Sequence, residues 1–580
     1  MLEPPYVGCH FSNRLLDFGI AIDLTVRAMK RNLPKPPSLV AAVVFYVWIC
    51  SFQAAAAPKP QLTNLGHHSF RITTQSAEAQ QAFNRGLTWA YSFGHFAAEQ
   101  EFRAALAADP DCAMAWWGIA LVNGPHINFP FVPPDKAAKA WEAIAAAQRL
   151  AAHGSPLEKS LISALAKRYA NPQPEDRAPL DQAYADAMRE LWKANPQNPD
   201  IASLLAEAEM DLHPWNYWID GKPQPWTIAI IETLQAALRL DPQHPGANHF
   251  YIHIVEASAS PSRALASANR LRRLVPDSSH MVHMPSHIYA RVGLWQEAAT
   301  ANRVAMKADQ RYRTVFPRPG FYAMYMAHNT HFLAYVSMMQ GRSADSIALA
   351  DQLVSGIPED FLKDYAAIAD GFMIFRAEAF MRFGRWEEIL KEPEPAKEFF
   401  LARALWHFTR GVAFTALGRM EEARAERAAL KNATAAVPAD RTMGNNSAAD
   451  LLAIAALTLD GEMLAKEDKL DEAVATLRQA VRLEDKLVYD EPPDWIQPVR
   501  HTLGAVQMRA GHPAEAEAVY REDLKVYPEN GWSLMGLRDA LIAQGKTAEA
   551  AGVGKRFRKQ WAKADITPPS TCYCQVLKRK

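Results

Sequence analysis

The sequence predicts an all-α protein built as an α-solenoid, a superhelix of repeated helix–turn–helix units. Hydrophobic residues make up 49% of the chain and charged residues 22%, with abundant alanine and leucine, a composition typical of soluble helical proteins. The alternation of apolar and polar residues expected of strands is nearly absent. The third observation is internal repetition, because two distant segments share one pattern of small, aromatic and proline residues.

The repeated pattern places a glycine, an alanine, an aromatic residue and a proline at fixed spacings. The offsets from the glycine are 12, 16 and 24 residues in both copies, which are Gly86, Ala98, Phe102 and Pro110, and Gly504, Ala516, Tyr520 and Pro528. Small residues let two helices approach closely, the aromatic side chain fills the space between them, and proline ends the second helix. Each unit is therefore predicted to be a packed pair of helices.

Glycine turns recur with a period of 34 residues, from Gly384 to Gly418 and from Gly511 to Gly545. The chain thus resembles the tetratricopeptide repeat (TPR) family, whose unit is a helix–turn–helix of about 34 residues. The resemblance covers most of residues 78–562. It implies an α-solenoid in which the first helix of each repeat lines a concave groove, and with the N-terminal segment it suggests an exported, bacterial-type member.

The N-terminus is predicted to be an export signal. A basic start at Met29 precedes an apolar run over residues 39–52, and small residues near Ala56 offer a cleavage site. The run is short for a membrane span, which needs roughly 20 residues. We therefore expect residues 1–28 to be an extension from a start site assigned too early, residues 29–56 to be a signal peptide, and the mature protein to be periplasmic or secreted without a stable membrane span.

The remaining boundaries enclose the solenoid. Residues 57–77 are predicted as an N-terminal segment, 78–562 as the TPR-like solenoid and 563–580 as a C-terminal tail. In that tail, Cys572 and Cys574 could form a disulfide, a pair of soft metal ligands or two ordinary thiols. Charge is balanced, with 63 Lys and Arg against 63 Asp and Glu, so no nucleic-acid partner is expected.

Two proline- and aromatic-rich insertions, at residues 123–135 and 212–226, interrupt the repeats, and a similar loop at residues 489–495 precedes the last repeats. Residues 212–226 carry three tryptophans, and residues 489–495 read YDEPPDW. For residues 212–226, covering an exposed helix end is favoured over forming a lid on the groove.

Histidine is concentrated in three successive repeats. The small residue near the start of each second helix, Ala264, Ala298 and Ser346, serves as a reference position. Fifteen residues upstream lie His249, His283 and His331; eleven upstream lie His253, His287 and Tyr335; eighteen upstream of the last two lie His280 and His328. Outside these central repeats the matching positions hold no such cluster.

Helix geometry brings these side chains onto shared faces. Residues four or seven apart lie on one face, so His249, His253 and Glu256 are expected to project together. Pro285 disfavours a regular helix just before it, which places His280 at a helix start. Neighbouring helices pack about 10 Å apart, close enough for imidazoles of adjacent repeats to reach one ion.

The histidines predict a metal site. The candidate ligands are His249, His253, His280, His283, His287, His328 and His331, enough for one ion with supporting residues or for two ions. Imidazole favours copper or zinc, also suits iron, and does not suit magnesium or calcium. Glu256 is a candidate ligand or general base for a metal-bound water. Three ligands with an open position would permit hydrolysis or, with copper or iron, oxidation of a small-molecule substrate.

Three other interpretations remain open at this stage. A non-catalytic TPR scaffold would bind a protein or peptide partner in the groove. The histidines could also form a pH-responsive or hydrogen-bonding groove for a partner or an anionic ligand, or could stabilise the stacking of helices. The sequence contains no HExxH, Walker, GxSxG or dinucleotide-binding motif, so it does not identify a reaction.

Overall fold

The protein is a chain of packed helices, as the computed structural model shows for residues 62–357 and 359–575. The N-terminal helices are α1 (Ala77–Ala90), α2 (His95–Ala108), α3 (Ala113–Val122), α4 (Pro134–Leu150), α5 (Pro156–Ala166), α6 (Ala178–Ala194), α7 (Pro199–Asp211) and α8 (Thr227–Leu240). The central ones are α9 (Pro245–Glu256), α10 (Leu265–Leu274), α11 (Ser279–His283), α12 (Pro285–Arg291), α13 (Trp295–Val315), α14 (Ala323–Met339), α15 (Ser343–Gly356), α16 (Glu359–Ala369) and α17 (Phe375–Arg382). The C-terminal ones are α18 (Trp386–Lys391), α19 (Phe400–Leu417), α20 (Met420–Ala436), α21 (Ala448–Lys466), α22 (Leu470–Glu484), α23 (Val499–Arg509), α24 (Pro513–Val526), α25 (Gly531–Ala543) and α26 (Thr547–Gln560).

Strands are confined to two antiparallel hairpins in the described part of the chain. Strands β1 (Trp218–Ile219) and β2 (Lys222–Pro223) lie within the tryptophan-rich loop, and β3 (Thr442–Met443) pairs with β4 (Asn446–Ser447) before α21. The predicted all-α class is therefore confirmed. No helix in the described ranges is long and apolar enough to cross a membrane.

The repeated glycine and aromatic positions pack as the sequence predicts. A methyl group added to Gly86 or to Gly118 would lie 2.6 Å from the Phe102 ring. Near the other end, Gly504 and Gly536 flank the Tyr520 ring in the same way, with added methyl groups 2.4 and 2.3 Å from it. One aromatic ring of each second helix is thus held between glycines of two first helices.

The C-terminal repeats fold back onto the centre of the solenoid. The indole Nε1 of Trp295 donates to the carbonyl oxygen of Pro528 at 2.9 Å, and Nε1 of Trp532 donates to that of Met338 at 2.9 Å. Trp532 is fully buried in the core that contains the N-terminal and central helices. The concave face expected to be an open groove is therefore covered by the chain itself at these repeats.

The C-terminal segment also packs against the central repeats. The Asp565 carboxylate accepts hydrogen bonds from the backbone N–H groups of Ser343 and Ala344 at 2.7 and 2.9 Å, at the start of α15. Cys572 and Cys574 form a disulfide beside the buried side chain of Glu462. Of the three alternatives for this pair, the structure contains the disulfide.

The predicted extension 1–28 and signal peptide 29–56 lie outside the described residues. Of the predicted N-terminal segment 57–77, the described part is packed against the first helices: the backbone N–H of Phe70 donates to Asn84 Oδ1 at 3.2 Å, and that of Ile72 to Gln80 Oε1 at 3.0 Å.

Candidate metal centre

The candidate histidines lie on the first helices of adjacent repeats, and local sequence signals set where these helices begin and end. Helix α9 begins at Pro245, and the His244 imidazole accepts a hydrogen bond from the Ala247 N–H at 3.0 Å as its N-cap. Every residue of α9 is buried. The expected break at Pro285 separates α11 from α12. His280 lies in the first turn of α11, as predicted, because the Ser278 side chain caps that helix.

The first group of ligands consists of His249, His253 and His280. One side-chain nitrogen of each lies within 4.8 Å of the others. Nε2 of His249 is 3.0 Å from Nε2 of His280. Nδ1 of His249 donates to the backbone carbonyl oxygen of Tyr91 at 2.7 Å, which leaves its Nε2 without a hydrogen when the ring is neutral.

The second group consists of His283, His287 and His328. Nε2 of His287 is 2.7 Å from Nε2 of His283 and 3.4 Å from Nε2 of His328. Nδ1 of His283 lies 2.6 Å from Oδ1 of Asn302. The amide nitrogen of Asn302 donates to the Ala298 carbonyl at 2.9 Å, so its oxygen must face the imidazole and accept from Nδ1.

Glu256 joins the two groups. Its carboxylate accepts from Nδ1 of His253 at 2.8 Å and from Nδ1 of His287 at 2.5 Å, one oxygen to each ring. The Tyr489 hydroxyl lies 3.4 Å from the second oxygen. Carboxylates that accept from Nδ1 orient imidazoles so that Nε2 can bind a metal. The geometry therefore assigns Glu256 the orienting position between the groups and leaves neither of its oxygens free.

Burial sets the charge of the site. It lowers the pKa of His249, His280, His283 and His328, and neighbouring imidazoles lower it further, so these rings are neutral. Burial also acts to raise the pKa of Glu256, but the nearby His287 and the two hydrogen bonds outweigh it and bring the pKa to about 2. For His287, burial acts to lower the pKa, but the charge and hydrogen bond of Glu256, with the charges of Glu491 and Asp490, together raise it.

Each group follows one rule in the repeat. Two of its members lie fifteen and eleven positions before the reference residue of one repeat, as His249 and His253 lie before Ala264. The third lies eighteen positions before the reference residue of the next repeat, as His280 lies before Ala298. By this rule a third group would contain His331, Tyr335 and, counted from the buried Ile389, Gly371. Two of its three positions hold no imidazole.

His331 accordingly joins neither group. Its ring instead contacts Phe372 and Phe375, with ring centroids 5.4 and 4.5 Å away. Burial lowers the pKa of His331 to about 3. Of the seven sequence-predicted ligands, six lie in the two groups and His331 does not, because its ring lies one turn further along α14 and packs against Phe372 and Phe375.

The loops at residues 212–226 and 489–495 both contact residues of the candidate metal centre. Nε1 of Trp218 donates to the carbonyl of Ile254 at 2.7 Å in the last turn of α9, which confirms that residues 212–226 cover a helix end. The same loop places the Trp215 ring edge-on to His253, with centroids 5.3 Å apart. Residues 489–495 supply Tyr489 to Glu256, a contact between positions 233 residues apart.

The sequence did not reveal which backbone and side-chain groups hold the imidazole rings in place. The Tyr91 carbonyl follows α1, and Asn302 lies one turn after the reference residue Ala298. Phe93 is also central, because its ring lies within 4.7 to 6.0 Å of the centroids of His249, His253 and His280. Its backbone has φ of 54°, a conformation with no sequence signature in a phenylalanine.

No protein-family model and no curated protein matches the chain. Similar solved structures include a human IFIT1 dimer with m7Gppp-AAAA (11% identity, 81% of this chain and 94% of that one, TM-score 0.32). Yeast Tom70 matches at 12% identity over 83% and 90% of the two chains with a TM-score of 0.27, and the Cut9–Hcn1 hetero-tetramer of APC/C at 12% over 90% and 82% with a TM-score of 0.28. These are helical-repeat proteins, and likeness at this level supports no inference about function.

Proposed function

We propose that this helical-repeat protein binds two transition-metal ions in the interior of its central repeats. One ion is held by His249, His253 and His280, and the other by His283, His287 and His328. Copper and zinc fit an all-imidazole set best, and iron is also compatible with it. Glu256 orients one ligand of each ion.

The observation that carries this proposal is the 2.7 Å contact between Nε2 of His283 and Nε2 of His287. The Nδ1 atoms of both rings face acceptors, Asn302 Oδ1 and the Glu256 carboxylate, so both carry hydrogen. In neutral rings both Nε2 atoms then present lone pairs to each other. Two lone pairs this close repel unless a cation, either a metal ion or a proton, lies between them.

A metal accounts for more of the site than a proton does. A proton on His287 would satisfy the contact with His283, and Glu256 favours it. The buried Nε2 of His253 has no hydrogen-bond partner among the described residues, and a proton on His287 would not supply one. Nitrogens bound to one tetrahedral zinc lie about 3.3 Å apart, since each bond is about 2.0–2.1 Å. The 3.4 Å spacing between His287 and His328 is close to this value, and the 2.7 Å contact between His283 and His287 would lengthen by about 0.6 Å when the ion binds.

Three ligands for each ion leave a coordination position for water or substrate, the arrangement of catalytic rather than structural metal sites. The second group is the more accessible, because His328 is half-buried while the other five ligands are buried. We therefore place any reaction, a metal-assisted hydrolysis or an oxidation, at the second group. Glu256 acts there by holding His287 rather than as a general base, because both of its oxygens are engaged.

We also propose export to the periplasm or the exterior, on the basis of the signal-like N-terminus. N-terminal sequencing of the secreted form tests this, and should begin near Ala57. The alternative function, a scaffold with a protein or peptide partner, would need a surface other than the inner face of α9, since that helix is fully buried.

The metal content of the purified, untagged chain tests the main proposal. After loading with zinc or copper and desalting, mass spectrometry is expected to find two ions per chain. His249→Ala and His283→Ala should each lose one ion, and His512→Ala, whose side chain is 47% exposed, should lose none. Wild type without stoichiometric metal, and with no rise in melting temperature on titration of either metal, would exclude the metal site and leave the protonated His287 as the explanation.

A further inference from the structure

A cavity of about 400 Å³ lies beside the second group of histidines. It is formed between α13, α14, α15 and the segment around α16, and its size suits a small molecule. Most of its walls are apolar, as shown by Met306, Met326, Leu353, Ile357, Ile368 and Phe372. Both His328, a proposed ligand of the second ion, and His331 line it.

His331 gives this cavity a polar anchor. Its side chain is 4% exposed, and its Nε2 has no hydrogen-bond partner in the described part of the chain. Buried polar atoms are nearly always paired, and an unpaired one is costly. Nε2 itself is covered from solvent, so the ring must turn towards the cavity before a hydroxyl on a bound molecule, which can donate to or accept from a neutral imidazole, supplies the missing partner.

The walls favour an aromatic and uncharged molecule. Methionine sulfurs pack favourably against aromatic rings, and the cavity is lined by Met306, Met324 and Met326 as well as by Phe372. Asp309 also lines it and is 6% exposed, with Oδ2 accepting from the Asn329 amide at 2.9 Å. Arg313 lines the cavity as well, but it is exposed to solvent, which screens its charge more than that of the buried Asp309 carboxyl. The balance therefore disfavours a ligand that carries its own carboxylate.

We propose that the cavity binds a phenol, an uncharged aromatic molecule with one hydroxyl group, as the substrate presented to the second metal ion. Its role as substrate rests on the proposed metal site, whereas the binding itself needs only the cavity. His331 is then a positioning residue, which hydrogen-bonds the hydroxyl, and His328 borders both the cavity and the proposed ion.

Calorimetry with p-cresol on the metal-free wild-type protein tests the binding. We expect saturable binding of one molecule per chain, with 4-methylbenzoate binding more weakly. His331→Phe keeps the ring but loses one hydrogen bond, and should weaken p-cresol binding about fivefold. Ala327→Trp fills the cavity from the half-buried face of α14 and should abolish binding, and His512→Phe should change nothing. Absence of p-cresol binding to folded wild type, or tighter binding of 4-methylbenzoate, overturns the proposal even if two metals are bound.

Proton relaxation of p-cresol tests its place beside the metal. Copper(II) in the second group should shorten the relaxation times of the p-cresol ring protons, and zinc(II) should not, because only copper(II) is paramagnetic. Copper-loaded protein that binds p-cresol without this enhancement overturns the substrate role. Binding of p-cresol by a chain that holds no metal retains the cavity and removes the proposed function, so the two failures are distinguishable.

Discussion

Replacement of Glu256 by glutamine should lower the metal affinity of both proposed sites, and of one site more than the other. The carboxylate now accepts one hydrogen bond from His253 and one from His287. Hydrogen bonds to a charged group contribute about 1.5–3 kcal/mol, against about 0.5–1.5 for neutral pairs. The loss of charge therefore costs about 1 kcal/mol at each histidine, or about fivefold in the affinity of each ion.

The amide also creates an asymmetry. An amide oxygen can accept from one Nδ1, but the amide NH₂ group then faces the other Nδ1 and can only donate to it. The histidine beside the NH₂ group must move its hydrogen to Nε2, the atom that the proposed ion needs. Loss of a supporting carboxylate typically costs about 10- to 100-fold in metal affinity. We expect a loss within that range at this site, where the ring must also change tautomer, and about fivefold at the other site, where only the charge is lost.

Competition with a chromophoric zinc chelator, fitted to two sites, measures both affinities of Glu256→Gln against wild type. Glu378→Gln is the matched control, because burial raises the pKa of Glu378 to about 8 and makes its carboxyl neutral near pH 7. The control should bind zinc as wild type does. A folded Glu256→Gln protein with two unchanged affinities would refute the orienting role of this carboxylate.

Three further outcomes follow from the described contacts. Gly86→Ala should lower the free energy of unfolding by about 1–3 kcal/mol, because the new methyl group would lie 2.6 Å from Phe102. Gly552→Ala, where the new methyl group meets nothing within 4 Å, should raise it by about 0.5–1 kcal/mol. Urea unfolding in which both variants change the free energy in the same direction would contradict this packing. The folded-state pKa of Glu378, raised from 4.5 to about 8, makes wild type lose stability as pH rises across that interval, so Glu378→Gln should melt higher than wild type at pH 9 and about equally at pH 5. His331→Ala should keep both metal ions by mass spectrometry, and loss of an ion would return this residue to the ligand set.

The local architecture was predictable from the sequence because each repeat solves the same packing problem with the same residues. Glycine at the contact and an aromatic ring opposite it recur at fixed offsets, and the structure places Phe102 between two glycines accordingly. The break at Pro285 was predictable for a similarly local reason, since proline has no N–H to continue the helical hydrogen bonds.

The grouping of the ligands was not predictable in the same way. Helical spacing assigns His249 and His253 to one face, which is correct, but it does not show that His280 of the following repeat completes their group. Nor does it show which nitrogen of each ring is free, because that depends on acceptors such as the Tyr91 carbonyl and Asn302. These contacts join residues far apart in the chain, and only the packing of whole repeats brings them together.

The end of the histidine series has a physical explanation in the fourth repeat. Gly371 occupies the position that His280 and His328 hold in the earlier repeats, and a methyl group added there would lie 2.6 Å from the side chain of Met443 in β3. The hairpin before α21 therefore fills the space that a third imidazole would need. Glu256, which both groups share, is fully buried between them and can orient only two rings at once. The number of proposed sites is thus limited by Glu256, which supports one ring in each group, and by the residues that return from the C-terminal half to pack beside them.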